Sequence, residues 1–409
     1  MKHKILFFFP HNPCPPRSGA HKRCMEMIRL LQMLGCEVVL ASSTYSSETK
    51  WEMRSINEIK SIGIEDVRIH KLSKFDSSFL SIMRRLYRFT KKTLPLTSTI
   101  NTPPGMRIWF TRLIQEISPD IVMMNYIYWH GLLTSGVRQR LVTVIDTHDF
   151  VSLNKQMREA LEKYLPLPPI RAAEVDERIL KEDFYDSPQL IVYQEEFAIY
   201  DKYNYTIAIS RKDADIITQN TRKTITLFIP MTATPSIKPN YYDGPAIFPT
   251  GPNLFNIQGY MYFVRKVLPR IQNKIPSFLL QVTGSICQHV LPENGILLSG
   301  FISNLETLYT SARFLVCPII GSTGQQVKIV ESMAYGVPVI ALRNVADSSP
   351  IIDGVNGLIA DNAEDFANLT IRLWNDITLC RSLGRAAKET IASEFTSSRA
   401  LETLSLLFR

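Results

Sequence analysis

Four residues in one short stretch could act together on a ligand. Gly321 and Gly324 lie in a loop, Lys328 follows, and Glu331 comes three residues later, all within the run GSTGQQVKIVESMAYGVPVIA at 321–341. Glycine lets a backbone turn tightly and approach a ligand closely. A helix starting near Gln325 would present free N–H groups and the positive end of its dipole there, which favours an oxyanion. Lys328 adds a full charge one turn in. Glu331 shares its face and can accept hydrogen bonds from a diol. The ligand so described has phosphate at one end and hydroxyls at the other. An ordinary ion pair on a solvated helix has the same spacing, so the flanking elements decide between the two readings.

Other constellations lie in the N-terminal half. At 144–150, Val-Ile-Asp-Thr-His-Asp-Phe, the residues Asp146, His148 and Asp149 leave an apolar strand together at its carboxyl end, where ligand-facing residues of parallel sheets gather. His148 could touch a reacting group, with Asp149 orienting it or acting as base. In Pro-Pro-Arg-Ser-Gly-Ala-His-Lys-Arg at 15–23, Gly19 lies in the loop between the first strand and a helix, where its backbone could reach a ligand, and Arg17, His21, Lys22 and Arg23 would make that loop electropositive. His130, in Tyr-Trp-His-Gly at 128–131, is a weaker candidate for an acceptor site. Asp213 and Asp215 have the spacing of a metal-binding pair, but they follow Ser210 at a helix start, where capping and dipole compensation explain them better. No metal site is expected.

The elements that would position these residues follow from hydrophobic patterning. Apolar runs at 314–320 and 337–342 flank the 321–341 loop and helix, which makes strand, loop, helix, strand, a parallel α/β unit. Similar strands are expected at 5–9, 38–41, 67–72, 121–125, 142–146, 206–209 and 225–229, with a helix at 20–34. A polar, proline-bearing run at 232–244 marks a boundary. A fresh series then begins, with strands near 246–249, 279–283 and 296–299 and helices near 255–271, 304–312 and 325–335. The expectation is α/β, two Rossmann-like domains facing across a cleft, at 1–231 and 232–395. The section 152–200 is the least regular and reads as an excursion near the cleft.

The 321–341 run, followed by Asp-Gly-Val-Asn-Gly-Leu at 353–358, resembles the donor-binding signature of GT-B glycosyltransferases, nearest to family 4 (group 1). The likeness continues through Pro252-Asn253, Leu280 to Gly284 and Ser299-Gly300-Phe301, and more weakly into the N-terminal half. It implies transfer of a sugar from a nucleotide-diphosphate sugar to a saccharide or lipid-linked acceptor, with retention, without a metal or other cofactor, in cell-surface polysaccharide or glycolipid synthesis. By resemblance Lys328, Gly324 and Gln325 hold the diphosphate and Glu331 the ribose. The base rests near Gly284, Phe301 and Ile302, while Gly251, Asn253 and Gly19 border the phosphates. His148 stands where the family has a histidine near the reacting carbon. The C-terminal helix at 396–409 crosses back to the N-terminal domain. Thr323 stands where the family often has a first glutamate that contacts the donor sugar. Competing readings are a nucleotide-sugar epimerase on the same frame and a non-catalytic binding subunit.

Composition bounds these readings. The chain of 409 residues is 45% hydrophobic and 21% charged, in the range of globular proteins with two cores. The apolar start, 5–9, ends at Pro10 and reads as a first strand rather than a leader. Six cysteines without CxxC spacing fit a reduced, cytoplasmic protein. Of the net charge of +8, most belongs to residues 1–225, with 32 Lys and Arg against 25 Asp and Glu. Between 68 and 112 the only acid is Asp76, and Arg84, Arg85, Arg88, Lys91 and Lys92 interleave with apolar residues. This pattern describes a basic amphipathic helix for an anionic membrane surface or an acidic acceptor, with peripheral location at the membrane's inner face. Nucleic acid is not expected, since no recognition motif accompanies the patch.

Overall fold

The computed structural model describes residues 2–16, 18–45, 50–90 and 99–408. It divides into two compact units, Met1–Ser152 with Val192–Pro230 and Ser398–Arg409, and Leu153–Ile191 with Met231–Ser397. Arg17, Lys91 and Lys92 lie outside the described residues.

The first unit is built on a parallel sheet of β1 (Lys4–Phe8), β2 (Glu37–Ser43), β3 (Val67–His70), β4 (Ile121–Asn125), β5 (Val142–Asp146), β6 (Tyr205–Ala208) and β7 (Ile225–Phe228), in the order β3-β2-β1-β4-β5-β6-β7. Ile5 lies opposite Val38 on one side and Ile121 on the other. Strands covered on both faces carry continuous apolar runs, which is why β1 and β4 read Leu-Phe-Phe and Ile-Val-Met-Met. The chain winds outward from β1, then returns to place β4 beside β1. That reversal is the topological switch point, the place where such sheets hold ligands. The Gly19–Met33 helix packs Met27, Ile28 and Leu31 onto the sheet, and the C-terminal residues Ala400, Leu404 and Leu407 join the same core. Tyr205 donates its hydroxyl hydrogen to Leu406 O at 3.2 Å, so the returning C-terminal helix is an integral part of this unit.

The second unit has β8 (Ala246–Pro249), β9 (Leu280–Thr283), β10 (Ile296–Gly300), β11 (Leu315–Cys317), β12 (Val339–Leu342) and β13 (Leu358–Ala360), all parallel, in the order β10-β9-β8-β11-β12-β13. Its switch point lies between β8 and β11. The expected helix at 255–271 is Leu254–Tyr262 followed by a π-helical stretch, Phe263–Val267, and Leu268–Gln272. The segment Leu153–Ile191, which the sequence reading kept with the N-terminal half, packs here. Tyr185 donates to Gln258 Oε1 at 2.9 Å, Tyr262 to Glu182 at 2.6 Å, and Ile170 bridges Val290. Both sheets have the doubly wound α/β form that the patterning implies. Among the described residues no helix is long and apolar enough to cross a membrane.

Candidate functional site

The second unit's switch point gathers most of the candidates from its own strand ends. After β8 the chain runs Thr250, Gly251, Pro252, Asn253. The Asn253 side chain caps the next helix by accepting from Asn256 N at 2.8 Å, and Asn256 Nδ2 donates to Gly251 O at 3.1 Å. The remaining amide oxygen, Asn256 Oδ1, is thereby turned toward Lys328. Its Nζ donates to Asn256 Oδ1 at 2.9 Å and to Thr250 Oγ1 at 2.8 Å, and lies 4.9 Å from the centre of the Phe248 ring. Lys328 follows β11 and Thr250 follows β8, so this one side chain bridges the two strands that flank the switch point. Both oxygens are neutral and leave the ammonium charge uncancelled. Burial pushes the Lys328 pKa down to about 8, with Cys317 and Glu331 pulling the other way.

The helix that carries Lys328 is Val327–Ala334, shorter than the 325–335 expected, because Gln325 and Gln326 spend their side chains on the loop. Gln325 Oε1 accepts from Met231 N at 2.9 Å, and Gln326 donates to Ser322 Oγ at 3.0 Å. Gly324 has φ +71°, a left-handed turn that opens the helix N-terminus. Thr323 Oγ1 accepts from Asn154 Nδ2 at 3.0 Å. Glu331, one turn on from Lys328, is half-buried, with the Tyr309 hydroxyl 3.5 Å from Oε2 and Tyr335 stacked on Tyr309 at 5.0 Å.

At the end of β9, Gly284 has φ +100°, and a Cβ there would lie 2.2 Å from Thr250 O. Only glycine allows the β9 turn to press against the loop holding Lys328. Gly284 N donates to Gly300 O at 2.6 Å, which brings the 300–302 turn alongside. Phe301 is 84% exposed there, whereas Ile302 is half-buried.

In the first unit, His148 sits just past β5 with φ 60°, an uncommon conformation for a residue with a side chain. Its Nε2 is 2.7 Å from Asn125 Oδ1. Asn125 Nδ2 donates to Phe8 O at 2.8 Å, which fixes the amide orientation and makes Nε2 the protonated nitrogen of the neutral ring. The ring stacks on Tyr126 at 4.2 Å. Burial drives its pKa down to about 4; Asp146 raises it and Arg23 lowers it. Phe8 ends β1, Asn125 ends β4 and His148 follows β5, so this group also straddles a switch point. Asn125 thus holds the His148 ring through Nε2, a partner the sequence reading did not name. Asp149 is half-buried, its amide bonded to Thr147 O at 2.7 Å.

Arg23 departs from the electropositive loop expected of it. It is buried against Asp146, Nε to Oδ2 at 2.9 Å, and donates to Pro230 O at 3.1 Å, so pair and carbonyl satisfy one another inside the sheet. His21 is buried too, while Gly19 is exposed as the first residue of its helix, capped by Ser18. His130 is half-buried, and burial together with Lys202, Arg138 and Arg107 lowers its pKa to about 4. Arg84, Arg85 and Arg88 lie exposed on the Lys74–Thr90 helix. Ser210 caps the Arg211–Asn220 helix by accepting from Asp213 N at 3.0 Å, in keeping with the capping role. Sequence reasoning missed Thr250, Asn256 and Asn125. Each is a neutral side chain whose decisive contact lies far along the chain.

Two Rossmann-like units of this form define a GT-B fold. Residues 245–376 match the family model of glycosyl transferases, group 1. The segment 245–376 is thus a glycosyl transferase group 1 domain on this frame. Solved structures show the same fold over nearly the whole length. Sucrose-phosphate synthase from Thermosynechococcus elongatus has 16% identity, covers 100% of this chain and 98% of its own, and gives a TM-score of 0.65. HepE of Anabaena in complex with UDP and glucose has 13% identity, 99% coverage of both chains and a TM-score of 0.62. A TarM variant of S. aureus, in complex with Fondaparinux, alpha-GlcNAc-glycerol and UDP, has 11% identity, 100% coverage of both and a TM-score of 0.64. No curated protein matches the sequence significantly.

Proposed function

We propose that this chain transfers a sugar from a nucleoside-diphosphate sugar to a saccharide or lipid-linked acceptor, in the synthesis of a cell-surface polysaccharide or glycolipid. The observation that carries the reading is Lys328, a half-buried ammonium anchored on two neutral oxygens at the switch point between β8 and β11. A charge kept in that setting is matched to a polyanion that arrives and leaves. The diphosphate meets Lys328 and the amides that Gly324 turns outward, which can neutralise a leaving diphosphate without a metal. Glu331 takes the ribose hydroxyls, the base lies toward Gly284, Phe301 and Ile302, and Gly251 and Asn253 border the phosphates.

At the reacting end of the donor sugar we assign His148. Its Nε2 proton is committed to Asn125, so Nδ1 offers a lone pair for a sugar hydroxyl, and the ring stays neutral at physiological pH. Transfer with retention is the outcome we propose. UDP is the first nucleotide to try, because HepE and TarM are described with it.

A panel of nucleoside-diphosphate sugars, screened by thermal shift and then by release of the nucleoside diphosphate with and without saccharide acceptors, tests the reading. Acceptor-stimulated release is expected. Conversion of the donor sugar without any acceptor would instead mark an epimerase, and donor binding without turnover a binding subunit.

A further inference from the structure

The Lys74–Thr90 helix of the first unit is held by one end and leaves a second, unpartnered face. Asp76 in its first turn is buried, accepting from Gly105 N at 2.8 Å and from Ser73 Oγ at 2.9 Å, and Leu80 is the other buried residue. A Cβ on Gly105 would lie 2.4 Å from Asp76 Oδ2, so the helix start is pressed against the Pro104–Ile117 helix.

Phe75, Phe79, Ile82, Leu86 and Phe89 recur at alternating spacings of four and three, which puts them in one stripe on a helix of about 3.6 residues per turn. That stripe is turned away from Asp76 and Leu80. Phe75 is 66% exposed, Ile82 64%, Leu86 57% and Phe89 90%. On the flank away from the buried residues stand Lys74 and Arg85, with Arg88 further round, all exposed, while the exposed Arg84 lies on the back of the helix beside Leu80. The helix's single acid, Asp76, is buried, and no carboxylate among the described residues pairs with these arginines. The helix therefore presents an apolar strip with cations along one flank and no exposed acid.

We propose that this strip docks the protein on an anionic phospholipid surface, with the aromatic and aliphatic side chains entering the headgroup boundary and the arginines meeting lipid phosphates. Charge selects the occupant. A second copy packed on the same stripe would bring arginine rows together, whereas an acidic bilayer supplies the opposite charge along the whole helix, about 25 Å. Each arginine near such a surface contributes on the order of a five-fold gain in partitioning. The inference rests on the transferase reading only in favouring a lipid-linked acceptor over a free saccharide. Docking itself needs no donor.

Cosedimentation of the full chain with vesicles tests it, comparing pure phosphatidylcholine with a phosphatidylcholine–phosphatidylglycerol mixture at low and high salt. Binding is expected only to the mixture and should weaken as salt rises. Replacing Lys74, Arg85 and Arg88 together with glutamine should cut partitioning about 100-fold. The triple variant Ile82→Ser, Leu86→Ser, Phe89→Ser should also release the protein. Both variants should keep the wild-type circular dichroism spectrum and cooperative melt, which show that the unit carrying the helix folds, and the wild-type melting shift with UDP, which reports the other unit. Equal binding to neutral vesicles, or retention by either variant, overturns the proposal. So does a concentration-dependent dimer that the serine variant abolishes, because the stripe would then be a protein interface. If UDP shifts no variant and not the wild type, the donor assignment fails while the vesicle result still stands.

Discussion

Replacing Lys328 with methionine should make the ligand-free protein more stable and ruin its affinity for a nucleoside diphosphate. An ammonium whose pKa falls from 10.5 to about 8 is less favourable inside the protein than in water by about 3 kcal/mol. Methionine removes that cost and fills the space beside Phe248. It also leaves Thr250 Oγ1 and Asn256 Oδ1 without their donor, at about 1 kcal/mol each, so the net change is roughly 1 kcal/mol of added stability at neutral pH. The loss on the ligand side is larger. A desolvated cation facing a diphosphate is worth about 3 kcal/mol when truncated, about 150-fold in Kd.

The pH dependence separates this account from a purely structural lysine. Lys328 has a lower pKa folded than unfolded, so between about 8 and 10.5 the unfolded chain holds more protons and wild-type stability rises with pH. Over the same range UDP affinity should fall, approaching ten-fold per pH unit, as the folded protein loses the charge. Urea unfolding and calorimetric titration with UDP between pH 7 and 10 give both quantities. A methionine variant that loses more than about 2 kcal/mol of stability yet binds UDP as tightly as wild type would refute the reasoning, because the lysine would then be a strut.

Three further changes test the other assignments. His148, with a folded pKa near 4 against an ordinary 6.5, gives stability that is complete above about pH 6.5 and is lost as pH falls through about 4; His148→Asn should flatten that acid limb in urea titrations and lower kcat more than it raises donor KM. Gly284→Ala forces a Cβ to within 2.2 Å of Thr250 O at φ +100°, so a loss of several kcal/mol in melting is expected, with weaker UDP binding through the displaced Thr250. Asn154→Ala removes the donor to Thr323 Oγ1; about 1 kcal/mol of stability should go, and donor KM should rise several-fold, read by urea unfolding and steady-state kinetics.

Both sheets were legible in the sequence because a strand buried on two faces has no choice but a continuous apolar run. Ile5 to Phe8, Ile121 to Met124 and Val339 to Leu342 have that character. The loop at Gly324 was legible for a related reason: glycine, lysine and glutamate lie close together along the chain, so spacing alone predicts a shared face. What spacing could not convey was pairing over distance. Arg23 looks like a loop cation until Asp146, 123 residues away, is found beneath it. Asn125 looks like a strand terminus until its amide is seen clamped between Phe8 O and His148. The segment Leu153–Ile191 has weak periodicity because its order comes from the second unit, through Tyr185 on Gln258 and Asn154 on Thr323. The Lys74–Thr90 helix was readable as basic and amphipathic, but only the structure shows that its apolar stripe is not the face it packs with.

Amide hydrogen exchange of the wild-type protein with and without UDP tests the central claim most directly. Protection is expected in the backbone at 250–256, 284–285 and 324–331, the three loops that converge on Lys328, with little change elsewhere in the second unit. Protection confined to other segments, or none at saturating UDP, would contradict a nucleotide site at the β8–β11 switch point.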